Sequence, residues 1–269
     1  MIVFPNAKIN LGLNIVEKRP DGYHNIESCF YPVGWSDVLE VIPSDTLKFT
    51  TSGIPIPGSK EGNLCLKAFE LISKDFHLSP VRVHLHKVIP IGAGLGGGSS
   101  DGAWMIKVLN SLFDLGLSVD GMHYYAQKLG ADCPFFIENK PVMTRGIGNV
   151  FEPVQCSLKG LYMLLIYPDI AISTAEAYQG VQPKTPEHPL LSLLEGERQI
   201  WKDKVHNQFE THLFKKYPLL PQIKNTLYEH GAIYASMTGS GSCVYGIFEK
   251  ETSIDWDPAY KVFAERIKY

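Results

Sequence analysis

The residues best suited to chemistry stand together at Pro90-Ile91-Gly92-Ala93-Gly94-Leu95-Gly96-Gly97-Gly98-Ser99-Ser100-Asp101. So many glycines strip side chains from a loop and let backbone N–H groups approach an anion closely. Ser99, Ser100 and Asp101 then offer N-cap oxygens, and Met105, Ile106, Leu109, Leu112 and Phe113 follow at helical spacing. A glycine loop running into a helix N-terminus favours phosphate, because free amides and the helix dipole both attract negative charge. The segment reads as a polyphosphate cradle; a structural turn would need only one or two of these glycines.

The kind of cradle can be narrowed. No lysine follows the last glycine, so this is not the G-x-x-x-x-G-K-[ST] loop. Gly92, Gly94 and Gly97 do satisfy G-x-G-x-x-G, but a dinucleotide site sits after a buried parallel strand that reads as a continuous apolar run. The preceding segment alternates instead, with Val81, Val83 and Leu85 on one face and Arg82, His84 and His86 on the other. That pattern predicts a half-solvated strand of an antiparallel or mixed sheet. Asp120 lies near the distance of a ribose-binding acid but falls in the turn Gly116-Leu117-Ser118-Val119-Asp120.

Several other residues could carry chemistry. Lys8, between Ala7 and Ile9, shares a strand face with Asn6 and Asn10. The stripe is either a solvated face or part of a site, where a lysine binds phosphate or keeps a carboxylate ionised. Asp132 follows Gly130 and precedes Cys133-Pro134, which suits a turn or cap residue and equally a general base. Tyr23-His24, after the turn Arg19-Pro20-Asp21-Gly22, puts two rings at a loop tip, where local packing competes with ligand contact. His84 and His86 could chelate a metal, but no third ligand is evident and a solvated face is the simpler reading. A second loop, Met237-Thr238-Gly239-Ser240-Gly241-Ser242, also offers free amides. Two glycine loops fit one cleft between two domains, one gripping a triphosphate and the other an acceptor.

The elements that must position these residues alternate irregularly. Strand patterns occur at 11–15, 36–42 and 47–50, then a helix with Leu64, Ala68, Leu71 and Ile72 on one face. Met122, Tyr125, Ala126 and Leu129 form a helical stripe stopped by Gly130. The continuous apolar run 161–167 predicts a buried strand of a second sheet, and 182–189 is a proline-rich connection. Helical patterns follow at 200–217 and 219–229, then a strand–loop–strand or helix unit at 234–245. This interleaving favours α+β over a doubly wound sheet, with a boundary near residue 150. The 269 residues are 45% hydrophobic and 20% charged, as in a globule with sizeable cores. A net charge of -3 argues against nucleic acid, and no apolar stretch approaches a membrane span. The five cysteines are scattered without C-x-x-C, which suits free thiols in a reducing cytoplasm.

The glycine segment at 90–101 resembles the ATP-binding motif of the GHMP kinases (galactokinase, homoserine kinase, mevalonate kinase and phosphomevalonate kinase), and M-T-G-S-G-S-C at 237–243 resembles their third motif. A-K-I-N-L at 7–11, R-P-D-G-Y-H at 19–24 and L-G-A-D-C-P-F-F at 129–136 resemble members of the non-mevalonate isoprenoid pathway whose small-molecule substrate carries a cytidine diphosphate. The resemblance implies a two-domain α+β GHMP-kinase-like fold with an active-site cleft between the domains. An ATP-binding domain would cover 1–150 and a C-terminal domain 151–269. It further implies phosphorylation of a substrate hydroxyl by ATP with Mg2+, in a cytoplasmic monomer or weak homodimer with no nucleic-acid or membrane partner. Lys8 matches the active-site lysine and Asp132 the catalytic aspartate. Pro90, Ile91, Gly92, Ala93, Gly94, Leu95, Gly96, Gly97, Gly98, Ser99 and Ser100 would hold ATP. Asn10, Tyr23, His24, Tyr178, Gly239, Ser240 and Gly241 would contact substrate, with Tyr23, His24 and Tyr178 at the cytosine. No metal ligands are identified beyond Ser99 as a candidate. Two departures stand out: Asn6 occupies a position where many relatives have proline, and 180–200 matches no motif.

Overall fold

A computed structural model describes residues 1–268. In chain order the strands are β1 (Ile2–Val3), β2 (Asn6–Lys18), β3 (His24–Ser36), β4 (Val38–Pro43), β5 (Lys48–Gly53), β6 (Val81–Lys87), β7 (Val142–Arg145), β8 (Val150–Pro153), β9 (Tyr162–Tyr167), β10 (Tyr234–Met237), β11 (Val244–Phe248) and β12 (Lys261–Arg266). The chain forms two compact units. The first gathers 1–7, 35–91 and 96–140, the second 8–34, 92–95 and everything from 141 onward. This division is discontinuous, whereas the sequence suggests one boundary near residue 150. The reason is pairing: β2 and β3 join β7 and β8 in one sheet, so an early segment goes with the C-terminal half.

The first unit is a sheet in the order β1-β4-β6-β5 with four helices, α1 (Leu64–Phe76), α2 (Gly97–Leu112), α3 (Val119–Leu129) and α4 (Phe135–Glu138). β6 runs antiparallel to β4 and parallel to β5, so the sheet is mixed, as its alternation predicts. Val81, Val83 and Leu85 are fully buried. On the other face the Ser52 hydroxyl lies 2.9 Å from both His84 Nε2 and His86 Nδ1, and Thr50 Oγ1 lies 2.9 Å from His84 Nδ1. These histidines face β5 hydroxyls, and no cluster of three metal-ligating side chains exists among the described residues. α1 buries Cys65, Ala68, Phe69 and Ile72, a face rotated slightly from the predicted stripe, and leaves Leu64 and Leu71 half-buried.

The second unit holds two sheets, β2-β3-β7-β8 and β10-β11-β9-β12, with α5 (Thr174–Gln179), α6 (Leu190–Glu195), α7 (Trp201–Lys204), α8 (Glu210–Lys216) and α9 (Leu219–Glu229). β9 is central and buried, as its apolar run predicts, and β10 and β11 form the hairpin that carries the second glycine loop. Leu164, Ile166, Phe209, Leu213, Leu220 and Leu227 belong to its main core. The helical pattern at 200–217 is interrupted after Lys204. There Leu13 N–H donates to His206 O (2.9 Å) and Gln208 N–H to Leu13 O (2.8 Å), so this backbone pairs with β2 instead of continuing a helix. The segment 180–190 packs on the same strand, with Lys184 N–H donating to Ile15 O at 2.9 Å.

Candidate active site

Gly92, Gly94 and Gly96 are left-handed (φ +69°, +77° and +69°), whereas the intervening Ala93 and Leu95 are not and are buried. Alternating hand can turn successive amides toward one side, which is the backbone pattern of an anion-binding nest. The buried side chains anchor the loop; a Cβ added at Gly92 would meet nothing within 4 Å, while Gly94 lies against the Thr238 carbonyl. α2 then starts at Gly97 with Gly96 as its N-cap and no side-chain cap. Ser99 and Ser100 therefore lie in the first turn and Asp101 just after it, not at the cap as their types suggest. Ser100 N–H donates to Gly96 O at 2.9 Å, which closes the first helical bond. Pro90 has no N–H to donate, and at the start of α2 the amides of Gly97, Gly98 and Ser99 have no intrahelical partner.

Beneath this turn lies a buried ion cluster. Lys87 Nζ binds Asp37 and, at 2.8 Å, Asp101 Oδ2; Asp37 Oδ1 accepts from the amides of Val88 (2.6 Å) and Ile89 (2.9 Å). The cluster thus ties the chain entering the loop to α2 just past its first turn. A Cβ on Gly97 would stand 3.0 Å from Lys87 Nζ and from Ile89, so this glycine lets the helix approach. Two carboxylates share one ammonium, and burial pushes Asp101 up to about 8. Its Oδ1 has no hydrogen-bond partner. Lys87 carries a signal the motifs lack: it has the parity of Val81, Val83 and Leu85 and so lies on the buried face.

Lys87→Met leaves Asp37 and Asp101 without the ammonium they share and is expected to destabilise the protein by about 3–5 kcal/mol, measured by urea unfolding. The sign of the pH effect follows from Asp101. Its folded pKa stands above the unfolded value, so its contribution to stability is complete below about 3.8 and is lost as pH rises through about 8. Asp101→Asn should flatten that slope; an unaltered slope would assign it to other groups.

The loop is strapped down within the second unit. Lys8 N–H donates to Leu95 O (2.9 Å), Thr238 Oγ1 to Gly94 O (3.2 Å) and Cys243 N–H to Ala93 O (3.2 Å). Gly241 N–H donates to Thr238 O at 2.9 Å, with Gly239 and Gly241 left-handed. The two glycine loops seen in the sequence therefore touch. Gly239 and Gly241 are buried there and Ser240 is half-buried.

Lys8 and Asn10 are buried, which rejects the solvated-face reading. Lys8 Nζ donates to Asn10 Oδ1 at 2.6 Å and lies 4.5 Å from the centre of the Phe30 ring. Asn10 Nδ2 donates to Ser28 Oγ (2.8 Å), Asn10 N–H to Thr238 Oγ1 (3.0 Å), and Tyr245 OH to Asn10 O (2.7 Å). Every polar group of this stripe is satisfied, as burial requires. Asn10 is a hub that orients the lysine and joins it to the second loop. Thr238, Ser28 and Tyr245 gave no sign of this in the sequence.

Asp132 occupies the turn between α3 and α4 in the first unit and is half-buried. The next residue, Cys133, lies beside Ser99 in the first turn of α2, and burial pushes its thiol up to about 12. Asn6 and Asn139, the latter capping α4, exchange side-chain hydrogen bonds of 3.1 and 2.7 Å. The turn bearing Asp132 thus lies beside the start of α2, and the helix after it is fixed to the start of β2. The asparagine at position 6 has a structural use.

At the loop tip, His24 stacks on Tyr178 with ring centroids 4.7 Å apart and an interplanar angle of 26°. Phe209 meets Tyr178 edgewise at 5.0 Å. Burial, and then Lys18, lower the His24 pKa, which keeps its imidazole neutral at pH 7. Tyr23 projects outward and is 62% exposed. A separate hollow of 680 Å³ in the second unit, lined in part by Cys156, Glu195, Arg198 and Glu249, contains none of these residues.

Comparison with known proteins gives the family. Residues 63–140 match the GHMP kinases N terminal domain and residues 190–255 match GHMP kinases C terminal. The 4-diphosphocytidyl-2-C-methyl-D-erythritol kinase of Parabacteroides distasonis is 51% identical, covering 94% of this chain and 93% of that protein. The enzyme of the same name from Bacteroides thetaiotaomicron is 49% identical, covering 99% and 100%. A crystal structure of 4-(cytidine 5'-diphospho)-2C-methyl-D-erythritol kinase superposes with a TM-score of 0.79 at 30% identity, covering 92% of this chain and 90% of that one. Homoserine kinase from Cytophaga hutchinsonii shares the fold, with a TM-score of 0.69 at 14% identity. Identity at the first level, over nearly the full length of both chains, goes beyond a shared fold: the chain belongs to the GHMP kinases, in one family with these relatives.

Proposed function

We propose that the chain transfers the γ-phosphoryl group of ATP to the 2-hydroxyl of 4-diphosphocytidyl-2-C-methyl-D-erythritol, giving the 2-phosphate and ADP for isoprenoid precursors. ATP use belongs to the GHMP kinases as a whole. The observation that carries the substrate is the agreement of full-length relatives in that name. The left-handed glycines of the first loop and the open amides at the start of α2 suit the phosphates. The free, buried thiols support a reducing, cytoplasmic setting. Among the described residues no helix is long and apolar enough to cross a membrane.

Phosphoryl transfer asks the protein mainly for positioning and charge stabilisation. In this reading Asp132 accepts the proton of the substrate hydroxyl as its oxygen bonds to the γ-phosphorus and ADP leaves. Lys8, aimed by Asn10, supplies positive charge to the reacting groups. Magnesium, carried with ATP, would neutralise phosphate charge; the Ser99 hydroxyl in the first turn of α2 is the protein oxygen best suited to it, with water and phosphate as the other ligands.

The direct test is ADP release with 4-diphosphocytidyl-2-C-methyl-D-erythritol against mevalonate and homoserine; turnover of either of the latter alone would overturn the assignment. Recognition of the base makes a finer prediction. Tyr23 offers an exposed ring for stacking, which tolerates any base, so discrimination falls to hydrogen bonds from His24 and its backbone. Tyr23→Ala should weaken cytidine and uridine forms alike, by about 1–3 kcal/mol in kcat/KM. His24→Ala should narrow the gap between the two. Because His24 already covers one face of Tyr178, the base cannot lie between those two rings as they stand, and Tyr178→Ala should act partly by releasing His24.

A further inference from the structure

Residues 206–210 connect two parts of the second unit that both bear on the candidate site. On one side they are stitched to β2, the strand of Lys8 and Asn10. Leu13 pairs with His206 and Gln208 through backbone bonds of 2.9 and 2.8 Å, and Ile15 N–H donates to Gln208 Oε1 at 2.7 Å. On the other side they grip the second glycine loop. Asn207 Nδ2 donates to Met237 O and to Gly239 O, both at 2.8 Å. Those are the carbonyls on either side of Thr238, the residue whose hydroxyl meets Asn10 N–H and Gly94 O. Glu210 Oε1 accepts from Met237 N–H at 2.7 Å and from Ser236 Oγ at 3.1 Å, while Glu210 Oε2 accepts from Lys224 at 2.6 Å. Asn207 is 1% exposed and Glu210 is 9% exposed.

We propose that Asn207, assisted by Glu210, is a positioning residue for phosphoryl transfer: it fixes Thr238, and through Thr238 sets the first glycine loop and the Lys8–Asn10 pair in register. Both hydrogens of the Asn207 amide are used on the loop, so the amide is specified at that position. Its Oδ1 has a different task, accepting from Phe209 N–H at 3.0 Å to form the turn into α8. The two tasks can therefore be separated. Asn207→Asp keeps the turn acceptor and the shape but turns an oxygen toward two carbonyls.

The inference rests on the kinase reading for its activity arm and is independent of it in its exchange arm. In Asn207→Asp, amide hydrogen exchange should quicken at 237–241 and at 93–95, with β9 and α9 unaffected. With wild-type turnover as control, kcat per folded molecule should fall about 10- to 100-fold, more than KM for either substrate rises, since a small misplacement of reacting groups costs rate at saturation. Glu210→Gln, which keeps an acceptor for the Met237 amide, should recover most of what Glu210→Ala loses; this pair decides the matter if Asn207→Asp does not fold. Exchange that quickens evenly through the unit, or kcat within about threefold of wild type in Asn207→Asp, would overturn the positioning role. If wild type fails to turn over the substrate, the kinase reading falls and the local exchange pattern still judges the inference.

Discussion

Asp132→Asn is expected to lower kcat by about 10²–10⁴ while ATP binding stays nearly intact, the usual scale for loss of a general base. The substitution keeps size and shape, and turnover is normalised to folded protein. The Asp132 turn lies beside Ser99, and the helix after it is tied through Asn139 to Asn6. Near-normal turnover would remove Asp132 from the mechanism. Lys8→Met should cost a similar factor, and the double variant little more, because residues that act as a unit are non-additive. Lys8 has a structural side as well: its loss strips the Asn10 Oδ1 acceptor of a 2.6 Å donor, so turnover must be normalised to folded protein by unfolding curves. Additive losses in the double variant would mean that the two residues serve separate steps.

Much of this was legible in the residues, and the reasons are physical. Alternation in Val81-Arg82-Val83-His84-Leu85 reports one solvated face, which is what a mixed sheet with one covered side produces. Glycine density announced both loops because backbone that must approach an anion or another backbone excludes side chains. The polar stripe of Lys8 and Asn10 was ambiguous, since sequence period tells which residues share a face and not whether that face is wet. Only the partners Ser28, Thr238 and Tyr245, 18 to 235 positions away, make its burial tolerable. Ser99 and Ser100 are good caps in isolation, yet α2 begins on Gly97, its first backbone bond running from Ser100 N–H to Gly96 O. Likewise, 205–209 has a helical pattern but gives its backbone hydrogen bonds to β2, a tertiary choice that local propensity does not contain.

Gly94→Ala is expected to reduce kcat/KM for ATP by about a hundredfold or more and, unlike a change confined to the phosphates, to impair acceptor use too. From sequence alone, a side chain at 94 would block only the approach of amides to phosphate. The structure gives it a second effect. Gly94 has φ +77°, and a Cβ there would lie 2.0 Å from the Thr238 carbonyl oxygen and 3.2 Å from Gly241 N. Both neighbours are backbone and cannot swing aside, so the two glycine loops must separate. Left-handed strain adds about 1–2 kcal/mol, roughly tenfold, and misplacement of the reacting groups accounts for the rest. Gly92 provides the comparison: it is also left-handed (φ +69°), but nothing lies within 4 Å of its added Cβ. Gly92→Ala should therefore show only the strain, about tenfold in kcat/KM for ATP, and spare the acceptor. The measurement is a bisubstrate kinetic matrix for both variants, with titration of each ligand. Equal effects of the two variants on the acceptor would mean that contact between the loops does not govern the acceptor side, and Gly239, Ser240 and Gly241 would lose their place among the substrate-binding residues.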